Sequence, residues 1–409
     1  MSWEKTTVGE IVTTRKGYAF KSSKYVNKGV PVVRVSDYTM DSISDADLKY
    51  YPYDEKQNYI DYELHEKDVI VQTVGSWQNN PASVVGKVVR VPYFLEGALL
   101  NQNAVKIMPA EGIDNNFLFY RLKTEEFKGH VLGEARGAAN QASITLDTIK
   151  SFDFLIPDCL TQKKIGNILS KYDELIENNR KQIKLLEEAA QRLYKEWFID
   201  LRFPGYEDCK IVDGMPESWI QKKISDLGEI ITGKTPSTSK EQYYGGNIPF
   251  IKIPDMHGCV FPITTEVTLT NEGANTQKNK YIPKNGIMVS CIATVGLVNI
   301  AIELCQTNQQ INSIILNNEQ DLYYVYSSMK RLKELLEGVG SNGATMTNVN
   351  KTKFGNIEVV YPNDELRKLY YDYCKPIFEK IYALSRNIKK LSQVRDCLLP
   401  KLMSGEIEV

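Results

Sequence analysis

The segment "GEIITGKT", from Gly228 to Thr235, has the spacing G-x-x-x-x-G-K-[ST]. In a phosphate-binding loop that pattern puts backbone N–H groups around phosphate oxygens, a lysine on the outer phosphates and a hydroxyl on magnesium, which is nucleotide-hydrolase chemistry. Such a loop works only between a buried strand and a helix whose N-terminus faces the phosphate. Here Pro236 follows Thr235 directly, and "STSKEQYYGGN" continues as polar turn residues without apolar periodicity. No hydrophobic run ending in an acid offers a magnesium partner. The sequence argues against a nucleotide hydrolase using Lys234 and Thr235, which stands as the alternative for the fold to decide.

Other catalytic patterns are missing from the sequence. His65, His130 and His257 lie far apart, and His257, Cys259, Cys291 and Cys305 could meet at a zinc ion only without the paired ligand spacing zinc sites use. There is no G-x-S-x-G, no glycine-rich cofactor loop after a strand, and no acidic-proline-proline-aromatic motif of amino-methyltransferases. The reading is a recognition or scaffold protein with no catalytic residue, metal site or cofactor of its own.

Three kinds of segment suit nucleic-acid contacts. "TRKGYAFKSSKYVNK" (14–28) holds five basic residues, Arg15, Lys16, Lys21, Lys24 and Lys28, and no acid, interleaved with Tyr18, Phe20 and Tyr25. "TGKTPSTSKEQYYGG" (232–246) offers Lys234, Thr235, Ser237, Lys240, Tyr243 and Tyr244. Cations and hydroxyls contact phosphates, and amides and aromatics read bases. "SWQNNPAS" (76–83) presents Trp77, Gln78, Asn79 and Asn80, whose amides can pair with adenine. "GEARGAANQAS" (133–143) adds Arg136, Asn140 and Gln141, and "GVGSNGATMTN" (338–348) is its polar counterpart. Solvated surface loops are the competing reading for each.

The elements behind these loops are written twice. "GVPVVRVSDY" (29–38) matches "NIPFIKIPDM" (247–256) at an offset of 218, and "ITLDTIKSFDFLIP" (144–157) matches "VNKTKFGNIEVVYP" (349–362) at 205. "LLNQNAVKI" pairs with "QTNQQINSI", and "GEIVTTRKGYAF" with the strand-like start of the phosphate-loop pattern, without its lysine and threonine. From Asp68 to Gly86 the first copy is eight residues longer than the second between Gly286 and Gly296, and "SWQNNPAS" is the excess. Short β-type runs such as "VPVVRV", "DVIVQTV" and "GIMVSCIATV", punctuated by Gly, Pro and Asn, predict strand-rich α+β domains.

A helix follows each copy. Heptad stepping gives Leu169, Tyr172, Ile176, Asn179, Ile183, Leu186, Ala190, Leu193 and Trp197, and 205 residues later Cys374, Ile377, Ile381, Leu384, Ile388, Leu391, Arg395, Leu398 and Leu402. Such stripes predict a coiled-coil seam, about 43 Å long at 1.5 Å per residue. Asn179 could fix its register or be an ordinary solvated residue. Arg395, Pro376 and Pro400 interrupt the second stripe, so a late start or kink near Pro376 and fraying beyond Pro400 are expected. Packing of each helix on its own domain is the competing arrangement; matched length and register favour two helices packed on each other, antiparallel, with an approximate twofold. The expected layout is a recognition domain over 1–158, a spacer helix over 159–203, a linker over 204–217, a second domain over 218–362, and a second helix with a tail over 363–409.

The bulk numbers fit. The 409 residues are 42% hydrophobic and 25% charged with net charge −1; 18 basic and 21 acidic residues lie in 1–158, and 14 of each in 210–362. No part is a basic domain, so binding held by bulk electrostatics is excluded and any DNA contact must come from local patches or partners. Seven cysteines form no C-x-x-C pair, and no apolar run reaches 18 residues, which together predict a reduced cytoplasmic protein outside membranes.

"LYKEWFIDLRFPGYE" (193–207), "DGMPESW" (213–219) and "LLPKLMSGEIEV" (398–409) resemble specificity subunits of type I restriction–modification systems, as does the block–helix–block–helix layout over nearly the whole chain. The resemblance implies a non-catalytic subunit with two target-recognition domains, each reading one half of a split asymmetric sequence in double-stranded DNA. It implies an antiparallel helical spacer that docks two methyltransferase subunits, which bring S-adenosylmethionine and methylate adenine. A restriction and translocase subunit using ATP and Mg2+ would join for cleavage. A coiled-coil adaptor binding proteins instead of DNA is the remaining alternative.

Overall fold

The computed structural model describes residues 3–39, 42–77, 83–138, 141–332, 334 and 349–409. The chain forms two compact units, Met1–Glu174 with Leu391–Val409, and Leu175–Lys390.

In the first unit a four-stranded antiparallel sheet has the spatial order Val12–Lys16, Ala104–Pro109, Val69–Gln72, Val88–Arg90. A smaller mixed sheet orders Lys49–Tyr51, Val30–Val33, Leu99–Leu100, and Glu4–Thr7 pairs antiparallel with Asp153–Ile156. The apolar run "DVIVQTV" lacks alternation because its strand is covered on both faces. Val69 and Val71 join Val105, Ile107, Phe117, Tyr120 and Phe127 in one core, while Ile70 joins Val33, Leu64, Val89 and Leu100 in another.

The second unit repeats this plan. Its four-stranded sheet orders Gly228–Thr232, Ile311–Leu316, Ile287–Ser290, Val298–Ile300, and its mixed sheet orders Val267–Leu269, Tyr244–Ile251, Gln306–Thr307. Ile220–Lys223 pairs with Glu358–Tyr361. Registers agree too: Val69 opposite Ile107 corresponds to Ile287 opposite Ile314, and Val32 opposite Leu99 to Phe250 opposite Gln306. The offset falls from 218 (Val69 to Ile287) to 210 (Val88 to Val298), so the eight extra residues lie between these strands.

Both long helices run 40 residues, Cys159–Phe198 and Asp364–Met403. Each starts behind a proline and a side chain that accepts from the first turn, as an N-cap does. Asp158 Oδ1 accepts from the N–H groups of Leu160 (2.9 Å) and Thr161 (3.0 Å), and Asn363 Oδ1 from Leu366 N–H (2.9 Å). In the second unit the late part of the first helix meets the early part of the second: Trp197 lies 5.7 Å from Tyr370 and 5.6 Å from Tyr373, centroid to centroid. In the first unit the early part of the first helix meets the late part of the second, through Asp173 and Arg395. The helices are antiparallel. Leu169, Ile176, Trp197, Ile381 and Leu384 are buried, and Ile183, Leu186, Leu193, Ile388, Leu391 and Leu398 are half-buried.

Three expectations about these helices are corrected. The second helix does not start late: it begins at Asp364 and continues through both prolines to Met403. Proline removes one backbone bond, but Cys374, Phe378 and Ile381 bury the same stretch in the core and outweigh that loss, and near Pro400 Leu402 and Met403 do the same. Arg395 does not interrupt the packing, because its Nη1 bonds Asp173 Oδ1 at 2.5 Å with only 7% of its side chain exposed. Asp173 also accepts from Tyr120 Oη (2.5 Å) and Arg90 Nη2 (3.2 Å). Asn179 is no solvated residue; it is buried, and its Nδ2 has no hydrogen-bond partner among the described residues. The segment read as linker holds a small hairpin, Ile211–Val212 with Met215–Pro216, turned by Asp213 and Gly214 at positive φ as a primed turn requires.

Candidate nucleic-acid interface

One end of the large sheet carries the same backbone network in each unit. In the first, Gly17 N–H donates to Ala104 O, Tyr18 N–H to Leu100 O, Asn101 N–H to Val33 O, Thr73 N–H to Asn103 O, and Ile144 N–H to Thr73 O. In the second, Gly233 N–H donates to Ile311 O, Lys234 N–H to Thr307 O, Asn308 N–H to Ile251 O, Cys291 N–H to Gln310 O, and Val349 N–H to Cys291 O. Three connecting segments per unit therefore leave the sheet at one end. In the first unit they are the segments after Lys16, after Gln72 and before Ile144.

The phosphate-loop question is settled here. Gly233 occupies the place of Gly17, and a Cβ on either would meet a backbone carbonyl, Asn308 O at 2.2 Å or Asn101 O at 1.8 Å. The glycine serves close backbone approach. Gly233 and Lys234 N–H groups are spent on carbonyls, and residues 233–237 form no helix, so no phosphate cradle exists. The nucleotide-hydrolase alternative falls with it.

In the first unit Arg15, Lys16, Lys21 and Lys24 are exposed, and Tyr18 is 37% exposed. Tyr18 sits in an aromatic cluster, 5.1 Å from Phe20, 4.9 Å from Tyr59 and 5.2 Å from Tyr62. Acids missed in the sequence face this loop. Glu55 takes Lys24 Nζ at 2.8 Å and raises its pKa, so Lys24 stays charged but occupied. Asp61 lies 3.9 Å from Arg15. Tyr25 is half-buried, and burial pushes its phenol up. Lys16, Lys21 and Lys28 form no ion pair among the described residues.

The structure joins the longer loop to the polar one. Arg136–Ala138 and Gln141–Ser143 form a hairpin whose second strand pairs with Val74–Gly75, Ala142 opposite Gly75 and Ser143 opposite Val74. Trp77, just beyond, is half-buried against the core, while Arg136 and Gln141 are exposed. Gly75 is needed here, since a Cβ would meet Ser83 O at 2.3 Å. Gln78, Asn79 and Asn140 lie outside the described residues, as does the 338–348 loop.

In the second unit Lys234, Ser237 and Lys240 are exposed. Thr235 Oγ1 donates to Gln309 Oε1 (2.8 Å), and Ser237 Oγ is 2.9 Å from Ser239 Oγ. Lys240 Nζ donates to Tyr243 Oη (3.0 Å), and Tyr243 is buried, 8% exposed. Tyr244 Oη donates to Pro236 O (2.7 Å). These two tyrosines shape the loop from beneath. Sequence reasoning also passed over the turns at Gln102–Asn103 and Gln309–Gln310, which sit at the centre of the network; the repeated "NQN" and "NQQ" were their signal.

His65 and His130 bond locally, to Glu96 Oε1 (2.8 Å) and Thr148 O (2.9 Å). No group of three or more metal-ligating side chains occurs among the described residues. Nor is any described helix long and apolar enough to cross a membrane.

Two copies of one α+β domain, each gathering polar loops at one sheet end and followed by a long helix, define a duplicated recognition protein. A family model described as the type I restriction modification DNA specificity domain matches residues 1–188 and 216–392, and the chain belongs to that family. It is 35% identical over 374 residues to the type I restriction enzyme HindI specificity subunit of Haemophilus influenzae, covering 76% of this chain and 80% of that one. It is 26% identical over 417 residues to the putative MjaX specificity subunit of Methanocaldococcus jannaschii, covering 100% and 94%. The crystal structure of the type I restriction-modification S subunit from M. genitalium shares the fold, with a TM-score of 0.58 and 15% identity over 98% of this chain and 96% of that one.

Proposed function

We propose that this chain is the DNA sequence-recognition subunit of a type I restriction–modification complex, with one half of a split, asymmetric target read by each repeated domain. The observation that carries this is the repeated sheet end: one backbone network with different loops grafted on it. A shared scaffold suits a shared ligand, duplex DNA, and differing loops suit different bases. On this reading residues 1–158 and 218–362 are the two readers. The long helices are the spacer that sets the gap and docks two methyltransferase subunits, and a restriction and translocase subunit completes the assembly. S-adenosylmethionine, ATP and Mg2+ belong to those partners, and the chain works in the cytoplasm without catalytic residues. The first domain would use Arg15, Lys16, Tyr18, Lys21, Arg136 and Gln141, and the second Lys234, Thr235, Ser237 and Lys240.

Sequencing methylated bases in a host carrying the system, with and without this chain, tests the proposal. The expected motif has two specified parts separated by unspecified bases and vanishes without the chain. An uninterrupted motif, or methylation indifferent to this chain, would refute it and favour a protein-binding adaptor.

A further inference from the structure

Gln102 and Gln309 occupy the same place in the two units. Each is exposed, in a turn between strands whose neighbours are held on both sides. Asn101 N–H and Asn308 N–H donate to Val33 O and Ile251 O, and Asn103 O and Gln310 O accept from Thr73 and Cys291 N–H. The preceding asparagine braces each turn from within: Asn101 Oδ1 accepts from Gln102 N–H (2.7 Å), and Asn308 Oδ1 from Gln310 N–H (3.2 Å). Both turns press against a glycine that tolerates no Cβ, Gly17 or Gly233.

This scaffold fixes a side chain that the fold does not use. The Gln102 carboxamide makes no hydrogen bond among the described residues. Gln309 is exposed, its carbonyl oxygen accepts from Thr235 Oγ1, and its NH2 makes no hydrogen bond among the described residues. An exposed, unspent donor suits an acceptor such as a phosphate oxygen.

The two domains carry different loops around these turns. In the first, Thr73, whose N–H holds Asn103 O, leads into Val74–Gly75, which pairs with the hairpin carrying Arg136 and Gln141, and the second domain is eight residues shorter at the loop before Val298. A side chain identical in both readers serves what both half-sites share, and side chains in one reader serve what differs. We propose that Gln102 and Gln309 are sequence-independent anchors, each donating its amide to the sugar–phosphate backbone of its own half-site and so setting the register in which the variable loops meet the bases. This rests on the two-domain DNA-reading function proposed above.

The test uses the full chain assembled with its methyltransferase subunits. Binding is measured on a duplex carrying the split target and on a scrambled duplex of equal length, across a salt series, with melting curves as a control for folding. Gln102→Ala and Gln309→Ala should each weaken binding to both duplexes by the same factor, about tenfold, the range of a hydrogen bond to a charged group. The methylated motif should stay unchanged. The slope of affinity against salt should also stay unchanged, because glutamine displaces no counterion, whereas Lys16→Ala or Lys234→Ala should lower it by about one. Gln102→Glu keeps the shape but sets a carboxylate against phosphate, and should bind more weakly than Gln102→Ala. Undiminished binding by both alanine variants, relaxed specificity at a single base position, or full binding by Gln102→Glu would each overturn the anchor. If the unmutated complex fails to prefer the split target, the DNA-reading function itself fails, a separate result from the same titration.

Discussion

At the scale of single residues, the first unit is tied together where charge is buried. Asp173 accepts from Arg395, Arg90 and Tyr120 at once, with Arg395 only 7% exposed and Asp173 19%. Removing Asp173 takes the carboxylate from Arg90 and from the Tyr120 hydroxyl and leaves Arg395 paired with Asp396 on the more exposed side. Asp173→Ala is therefore expected to destabilise the first unit by about 3 kcal/mol in denaturant unfolding; a loss below about 1 kcal/mol would mean that water solvates this cluster. The thiols sort by burial. Desolvation pushes Cys291 up to about 11 and Cys305 and Cys374 up to about 12, while Cys397 is exposed. An alkylating reagent at neutral pH should modify Cys397 rapidly and leave those three untouched until the chain unfolds, which mass spectrometry of the labelled peptides can check. The sequence marked Arg395 as a misfit because heptad stepping sees position and not partners; Asp173 lies 222 residues away and belongs to no motif. Tyr243's burial was equally invisible, since an aromatic among polar residues gives no sign that it packs beneath its own loop, its hydroxyl taken by Lys240.

At the scale of elements, the strands and the extra eight residues were legible, because each leaves a pattern in the chain that the register repeats. The pairing of Val74–Gly75 with the strand of the 133–143 segment was not, since Gly75 opposite Ala142 depends on tertiary placement alone. The glycines at the sheet end give a sharp expectation. Gly17→Ala and Gly233→Ala each force a carbonyl aside, so circular dichroism and DNA titration should show a disturbed loop and lost binding, whereas Lys234→Ala should melt like the parent. Unaltered binding by Gly233→Ala would undo the equivalence of the two networks. The helix caps add a pH dependence. Backbone N–H donation from Thr161 holds the Asp158 carboxyl below its usual range. A depressed folded-state pKa stabilises above the unfolded value and loses that contribution as pH falls through the carboxylate range. Asp158→Ala should destabilise the fold at pH 7 and progressively less as pH falls through the carboxylate range, and Asn363→Ala should destabilise it with no such dependence, which denaturant unfolding at several pH values checks.

At the scale of the whole molecule, the duplication is the main fact, and it was readable because two copies of one fold keep their offsets. The near-zero net charge follows the same logic: Glu55 and Asp61 temper the basic loop of the first domain, so bulk attraction contributes little to DNA affinity. Arg136 belongs to the first domain alone, and Arg136→Ala is expected to relax discrimination in one half of the target by about 1–3 kcal/mol while the other half is read as before. The most direct measurement exchanges the whole first domain, residues 1–158, for the equivalent block of another family member and sequences the methylated bases that result. Independent readers predict a motif in which one half changes while the other half and the gap between them stay as they were. A motif altered in both halves, or one with a different gap, would contradict the account.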